Sequence, residues 1–282
     1  MTDAVDDIVK RVLKVASLPQ IYLLVEETLN DNHSSVAALG KIIEEDPALT
    51  SKLLRLANSA FYSFAAKVEA VNQAITVLGT QQLRDLVLAC SVLRVFSNIP
   101  DNIINMESFW RHSIACGVVA RNIAAARKET NIERFFVAGL LHDIGRLVFL
   151  MEKPKQMAEA FHLARQNSEL LHVAEKEIFG FNHAKLGGRL LDFWRLSPRL
   201  VESISYHHSP RSARQFTLDA TIIHVADSVA NALELGTSGQ TLVPPISIQA
   251  WKTLDIPNQE ISSIIDMAVD QYDDAVQFVL AE

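Results

Sequence analysis

The stretch 134-RFFVAGLLHDIGRLVFLM-151 decides the fold class, because it is apolar on every side of a predicted helix. Yet His142 and Asp143 lie at its centre, and Arg146 follows one turn later. A helix that is apolar all round belongs in the interior of a protein. An imidazole and a carboxylate are costly to bury unless other groups satisfy them. The stretch therefore predicts a central helix that directs a polar pair at partners elsewhere in the chain.

The rest of the sequence also repeats its apolar residues at helical spacing, as in segments 36–56 and 71–87. Glycine is scarce, with 10 residues among 282, and alternating strand patterns are missing. Ser197-Pro198 is typical of a helix start, and Ser209-Pro210 of a helix end. We therefore predict an all-α protein built as a multi-helix bundle.

Two breaks in the helical pattern divide the chain into three predicted segments. Pro100-Asp101-Asn102 ends an N-terminal helical layer, assigned to residues 1–100. The helical core that holds most of the histidines is assigned to residues 101–235. The Gly/Pro-rich loop 236-GTSGQTLVPP-245 then introduces C-terminal helices, within residues 236–282, that are expected to pack on this core.

Composition excludes several classes of function. The formal net charge is -7 and no basic block stands out, which argues against a nucleic-acid partner. No stretch is long and apolar enough to span a membrane, and the N-terminus does not have the pattern of a signal peptide. The two cysteines, Cys90 and Cys116, lie on apolar helical faces, as expected in a reducing compartment. We predict a cytoplasmic protein.

Histidine and aspartate recur on the apolar faces of five predicted helices. The set is His112; His142 and Asp143; His183; His207 and His208; and Asp227. A single histidine in such a place is more often a hydrogen-bonded core residue than a ligand. Seven such groups together are satisfied most simply by a cation, since neutral His and ionised Asp are its natural ligands. The number of N and O donors, without Cys, suits two metal ions about 3.5–4 Å apart.

The order of these residues resembles that in the HD superfamily of metal-dependent phosphohydrolases, whose name comes from the adjacent pair, here 142-HD-143. Further motifs resemble the HDOD domain, an HD-related output domain of bacterial signalling proteins. They are 18-LP-19, 46-DPALTSKLLRLANSAFY-62, 74-AITVLG-79, 109-FWRHS-113 and 138-AGLLHDIGRLV-148. The resemblance covers roughly residues 15 to 215 and implies an HD-domain-like helical bundle with an N-terminal helical layer.

The resemblance also implies roles for particular residues. Many HDOD domains have lost metal ligands and act as signalling modules, whereas this chain keeps all seven positions of the set, with Asp143 as the bridging ligand. The spacing is most like that of HD-GYP phosphodiesterases, but SPRSAR follows His207-His208 where those enzymes have a GYP tripeptide. Ser108 stands where a third metal would require Glu, so two metals are expected.

The chemistry expected of such a centre is phosphoester hydrolysis. Two divalent transition-metal ions bridged by Asp143 would lower the pKa of a bound water and neutralise a phosphoryl group. Arg146 and Lys185 are the candidate cations for substrate phosphate; the alternative for each is a solvated surface cation, and for Lys185 this alternative is slightly favoured. His224, one turn before Asp227, is a candidate for orienting a ligand, with a plain core hydrogen bond as the alternative.

Three functions remain open from the sequence. The first is a phosphohydrolase acting on a nucleotide or cyclic nucleotide, with Fe, Mn, Zn, Ni or Co as the metal. The second is a non-catalytic signalling or output module with a structural or sensory metal site and a protein partner. The third is a helical protein whose histidines are simply core residues.

Overall fold

The computed structural model describes residues 2–13, 17–31, 33–59, 62, 67–97, 99 and 103–280. Within these ranges it contains sixteen α-helices, one short 3-10 helix at Pro210–Ser212 and no strand, which confirms the all-α prediction. The helices are α1 Thr2–Val12, α2 Gln20–Asn30, α3 Val36–Glu44, α4 Pro47–Ala57, α5 Val71–Leu78, α6 Thr80–Val95, α7 Met106–Ala126, α8 Glu133–Leu141, α9 Ile144–Glu152, α10 Pro154–Asn167, α11 Leu171–Phe179, α12 His183–Phe193, α13 Pro198–Tyr206, α14 Thr217–Ala232, α15 Ile248–Leu254 and α16 Asn258–Leu280.

Side-chain caps fix the starts of several helices. Ser197 accepts a hydrogen bond from the backbone N–H of Leu200, and Pro198 occupies the first turn of α13, as the sequence predicts. Asn105 caps α7 and Asn182 caps α12 in the same way. These caps matter for function because α7, α12 and α13 each carry or lead into a predicted metal ligand.

The 21-residue helix α7 lies at the centre of the molecule and packs against α8, α14 and α16. Helices α2 to α6 form the N-terminal layer, which contacts the core chiefly through α6 on α8. Helix α16 packs on both α7 and α4, so it joins the core to the N-terminal layer. Buried side chains from all three predicted segments belong to one continuous hydrophobic cluster.

The proposed division into segments 1–100, 101–235 and 236–282 stays a prediction. Its first boundary, at Pro100-Asp101-Asn102, lies outside the described residues. Both cysteines are buried and free, as their apolar surroundings predicted. Among the described residues, no helix combines the length and the apolarity needed to cross a bilayer.

The stretch 134–151 is buried as predicted, but the prediction of a single helix is wrong. Helix α8 ends at Leu141 and α9 begins at Ile144, so His142 and Asp143 form the turn between them. The turn brings α9 so close to α12 that a Cβ on Gly145 would lie 2.1 Å from the carbonyl oxygen of His183. Apolar residues at helical spacing continue on both sides of this turn, and for that reason periodicity alone could not reveal the break.

Candidate metal centre

The structure brings all seven predicted ligands together in the interior. His112, His142, His183 and His207 are fully buried, and Asp143 and Asp227 nearly so. His208 is partly exposed. The seven come from α7, the α8–α9 turn, the start of α12, the residues after α13, and α14. Their roles as ligands stay a prediction, but their convergence from five parts of the chain is a property of the fold.

The first donor group consists of His112, His142 and Asp227, each of which offers one ligand atom within 4.8 Å of the others. The Nε2 atoms of His112 and His142 lie 3.3 and 3.5 Å from Oδ1 of Asp227. Two imidazoles and one carboxylate at these distances are suited to holding a divalent transition metal.

The second donor group consists of His183, His207 and His208, again with ligand atoms within 4.8 Å of one another. Nε2 of His183 lies 3.3 Å from Nε2 of His207 and 3.0 Å from Nε2 of His208. Three imidazole nitrogens that face one another at this distance are suited to holding a metal ion, since they can present lone pairs to a common point.

Asp143 lies between the two groups and reaches both. Its Oδ1 is 2.9 Å from Nε2 of His183, in the second group. Its Oδ2 is 3.2 Å from Nε2 of His142 and 3.8 Å from Nε2 of His112, in the first group. One carboxylate oxygen therefore faces each group, which is the arrangement that a bridging carboxylate requires.

Hydrogen bonds at the far side of three rings turn their Nε2 atoms toward the centre. Nδ1 of His142 bonds to the carbonyl oxygen of Gly139, and Nδ1 of His207 to that of Ile204, both at 2.7 Å. Nδ1 of His183 bonds to Oε2 of Glu175 at 2.5 Å. A proton on Nδ1 leaves Nε2 as a lone-pair donor, which is the tautomer that binds a metal through Nε2.

The donor set fits a cation because several of its buried atoms lack hydrogen-bond partners among the described residues. They include both ring nitrogens of His112, Nε2 of His142 and Oδ1 of Asp143. Oδ1 of Asp143 is near Nε2 of His183, but that nitrogen has no proton to donate when Nδ1–H bonds to Glu175. Buried polar groups without partners are costly, and metal ions would satisfy those that face the centre, namely Nε2 of His112, Nε2 of His142 and Oδ1 of Asp143.

The pKa shifts favour ionised carboxylates at Asp143 and Asp227 and neutral imidazoles at His207 and His208, which are the forms that bind a metal. Burial alone would raise the pKa of Asp143, but Arg146 and His142 hold it well below its usual range. Burial would likewise raise the pKa of Asp227, but the neighbouring imidazoles of His112 and His142 lower it strongly. Burial and neighbouring imidazoles hold the pKa values of His207 and His208 well below normal, so these two rings are neutral.

His142 and His183 differ from the other two. Burial alone would lower the pKa of His142, but the Asp143 carboxylate raises it well above the normal value. For His183, burial and Arg146 lower the pKa, and Glu175 and Asp143 raise it by more. A metal binds the neutral form of these two rings, so metal binding there competes with protonation.

Arg146 reaches the centre, but it is held by carboxylates. The side chain is buried; its Nη1 is 2.5 Å from Oδ2 of Asp143, and its Nε donates to Oε1 of Glu175 at 3.0 Å. Nη1 also donates to the hydroxyl of Ser238. The guanidinium therefore contacts Asp143, Glu175 and Ser238 and does not face open space. Its predicted role in binding substrate phosphate stays a prediction.

Lys185 does not join the other predicted site residues. Its side chain is exposed, and its backbone N–H serves the Asn182 cap at the first turn of α12. This position matches the surface-residue alternative, and its proposed catalytic role also stays a prediction. His224 bonds through Nδ1 to the carbonyl oxygen of His207 at 2.9 Å, so it fixes the backbone that carries a ligand.

Glu175 and Ser238 are the site residues that the sequence analysis missed, together with His172. Glu175 is fully buried and bonds to Arg146 and to both the ring and the backbone N–H of His183. The ring of His172 stacks on His208 with centroids 3.9 Å apart. Glu175 follows Leu171 by four residues in α11, so it lies on an apolar face. A search extended from His and Asp to Glu would have found it.

A family model for the HDOD domain matches residues 15–210. The chain belongs to the HDOD family. The match confirms the resemblance found in the sequence, and it includes six of the seven predicted ligands. Asp227, His224 and Ser238 lie beyond the matched range, so the HDOD match alone would not have drawn attention to them.

Several solved structures share this fold. An HDOD domain protein of unknown function from Geobacter sulfurreducens aligns with a TM-score of 0.80 at 22% identity, covering 98% of both chains. A candidate phosphohydrolase from Shewanella amazonensis aligns with a TM-score of 0.72 at 23% identity, covering 96% of both chains. At these identities the likeness shows the fold alone.

One curated relative also matches, an uncharacterized protein of Treponema pallidum. It is 23% identical over 203 residues, which are 72% of this chain and 39% of that protein. This chain therefore spans well under half the length of the relative.

Proposed function

We propose that this HDOD protein is a metal-dependent phosphohydrolase of the HD superfamily with two divalent transition-metal ions. The single observation that carries the proposal is the position of Asp143, which presents one carboxylate oxygen to each of two three-residue donor groups. The substrate class proposed is a phosphoester of a nucleotide or cyclic nucleotide. The Shewanella amazonensis structures, described as candidate phosphohydrolases, add support at the level of the superfamily.

The protein's own residues hold and tune this centre. Arg146 keeps Asp143 ionised and fixes its Oδ2, while Glu175 fixes the ring of His183 and its backbone. Two bound metal ions would supply Lewis acidity and an activated water for attack at phosphorus. The surrounding apolar core excludes bulk water, which strengthens electrostatic interactions at the centre.

The proposed approach for substrate is the side of His208 and His172. These are the two partly exposed imidazoles of the region, whereas the other donors are buried. Histidine-rich N and O donor sets accept Fe, Mn, Zn, Ni and Co, so any of these fits the proposal.

The test is turnover by metal-loaded protein against a panel of phosphomonoesters, phosphodiesters and cyclic nucleotides. We expect turnover that chelation abolishes and that Asp143→Ala removes. Asp266→Ala, on the exposed face of α16, is the matched control and should retain the wild-type rate. A metal-loaded protein that is inert on the whole panel, or an Asp143→Ala variant as active as the wild type, would contradict the proposal.

A second candidate function is a non-catalytic signalling module with a structural or sensory metal. The observation that favours it is the state of Arg146, which is buried and committed to Asp143, Glu175 and Ser238. A structurally similar protein of Marinobacter aquaeolei is described as a candidate signal transduction protein. This function predicts that chelation lowers the melting temperature or abolishes partner binding while no phosphoester is turned over.

A further inference from the structure

A cavity of about 780 Å³ lies between the N-terminal layer and the core. We call it the interlayer cleft. Its walls come from α2 and α6 on one side, and from α8, α13 and the turn between α12 and α13 on the other. None of the seven predicted metal ligands lines it. Its volume falls within the range of small-molecule sites, about 300–1,000 Å³.

We propose that the interlayer cleft is a second ligand site, one that binds a nucleoside phosphate. The ligand class combines a planar base that carries N–H donors with a phosphate group. The proposal goes beyond hydrolysis at the metal centre and does not depend on it, because the cleft uses other residues.

One end of the cleft offers arginine side chains to an anion. Arg199 contacts both oxygens of Asp219 through Nη1 alone, at 3.1 Å, and its side chain is 43% exposed. Arg195, at the α12–α13 turn, is exposed and has no ion-pair partner among the described residues. Two guanidinium groups with unused N–H donors are suited to a phosphate, which accepts charge-assisted hydrogen bonds in pairs.

The other two arginines of the cleft are already committed to carboxylates. Arg84 lies 3.3 Å from Asp85 and 3.9 Å from Glu26. Arg134 bonds to Asp219 and to the backbone carbonyl oxygens of the turn before α8. Arg195 and Arg199 are therefore the arginines of the cleft with N–H donors left for a ligand, and we place the phosphate beside them.

The opposite wall suits a base. Tyr22 and Leu23 of α2 and Leu88 of α6 give it an apolar surface. Glu26 stands beside them with its side chain 36% exposed. Its Oε2 accepts from the Tyr22 hydroxyl and lies near Arg84, so Oε1 is the oxygen that accepts hydrogen bonds from ring or exocyclic N–H groups. An apolar wall with a carboxylate on one side, and two arginines on the other, together match the polarity of a nucleoside phosphate.

The cleft is distinct from the metal centre but lies on the helices that lead to it. Ala138 of α8 and Ser203 of α13 line the cleft, four residues before His142 and His207 respectively. Four helical residues rise about 6 Å. A ligand in the cleft therefore packs one helical turn away from two metal donors without touching either.

The test is calorimetric titration of the metal-free full chain, in chelator, with AMP, GMP and CMP. Chelation prevents hydrolysis, so binding and turnover are measured separately. We expect at least one nucleotide to bind roughly tenfold more tightly than ribose 5-phosphate, inorganic phosphate or the parent nucleoside. The Asp143→Ala variant should bind it as the wild type does, because that carboxylate is not in the cleft.

Two variants locate the binding. Arg195→Gln should weaken nucleotide binding roughly tenfold, whereas Arg165→Gln, an exposed arginine outside the cleft, should leave it unchanged. Leu23→Trp, at a half-exposed position on the cleft wall, should also weaken binding by filling the space, with the melting temperature as the check on folding.

Three results would overturn the inference. They are nucleotides that bind no better than inorganic phosphate, an Arg195→Gln variant with wild-type affinity, or binding that Asp143→Ala abolishes. Failure of the phosphohydrolase proposal would instead appear as inert metal-loaded protein, with cleft binding intact.

Discussion

At the scale of single residues, Glu175 connects the parts of the metal centre. One carboxylate oxygen accepts from Arg146, and the other contacts the ring and the backbone N–H of His183. Arg146 and His183 in turn both contact Asp143. These four side chains form a closed ring in which carboxylates alternate with nitrogen-bearing groups, so the orientation of the two predicted ligands, Asp143 and His183, depends on the Glu175 carboxylate.

Glu175→Gln should weaken metal binding roughly 10- to 100-fold, the range for residues that orient metal ligands. The amide keeps the size of the side chain but removes the charge that holds Arg146 and His183. Competition with a fluorescent chelator would measure the metal dissociation constant. Glu177→Gln, on the exposed face of the same helix, is the control and should bind as the wild type does. Equal affinity in the two variants would show that the ring has no role in ligation.

His172 should make the metal-free protein sensitive to acid. Burial lowers its pKa to about 4, against an unfolded value of 6.5. Between these values the unfolded chain binds the proton and the folded chain does not, so stability is lost as the pH falls. His172→Phe keeps a ring against His208 and removes this titration. Its melting temperature should therefore fall less between about pH 7 and about pH 5 than that of the wild type. Equal pH dependence of the two proteins would contradict this account.

At the scale of elements, the break between α8 and α9 creates the site. It lets His142 and Asp143 turn toward the donors of α12 and α14, and it places Gly145 against the first residue of α12. A side chain at position 145 would force α9 and α12 apart because its nearest neighbour is backbone, the carbonyl oxygen of His183. The glycine thus sets the distance between Asp143 and His183.

Gly145→Ala should lower the free energy of unfolding by about 1–3 kcal/mol, as overpacked cores do, and should weaken metal binding as well. Gly40→Ala is the matched control. Its added methyl group would meet only the side chain of Asn72, which is exposed and can move, so the cost should be small and offset by helix propensity. Urea unfolding of both variants, with and without metal, checks this. Equal stability of the two variants would contradict the close approach of α9 to α12.

The helical elements and the convergence of the seven His and Asp side chains were predictable because both follow from local pattern. Apolar spacing identifies helices, and a polar residue on an apolar face marks a position that needs a partner. The break at His142 was not predictable, because neither Pro nor a polar run marks it. Ser238 was missed for a different reason: its contact with Arg146 joins a loop to a helix across 92 positions, which local pattern does not encode.

At the scale of the whole molecule, the metal centre ties together elements that are distant in sequence. Its donors come from α7, the α8–α9 turn, α12, the end of α13, and α14. The loop after α14 makes two further contacts with the core. The Ser238 hydroxyl accepts a hydrogen bond from Arg146, and the side-chain oxygen of Gln240 accepts one from the backbone N–H of Leu171 at 2.8 Å. Metal binding should therefore stabilise the whole helical core rather than one local segment.

Removal of metal should lower the melting temperature by several degrees, since each kcal/mol of lost binding energy shifts it by about 2–4 °C in a chain of this size. Scanning calorimetry before and after chelation measures this shift. Metal added back should restore it in the wild type and not in His183→Ala. A melting temperature that is indifferent to chelation would favour the remaining alternative, in which the histidines are core residues only.

The measurement that tests the central claim most directly is metal content per chain, by elemental analysis of protein purified without added metal. The two donor groups with Asp143 between them predict about two metal ions per wild-type chain. They also predict loss of both ions in Asp143→Ala, because that carboxylate serves each group. A wild-type chain without metal, or an Asp143→Ala variant that keeps the wild-type metal content, would contradict the account.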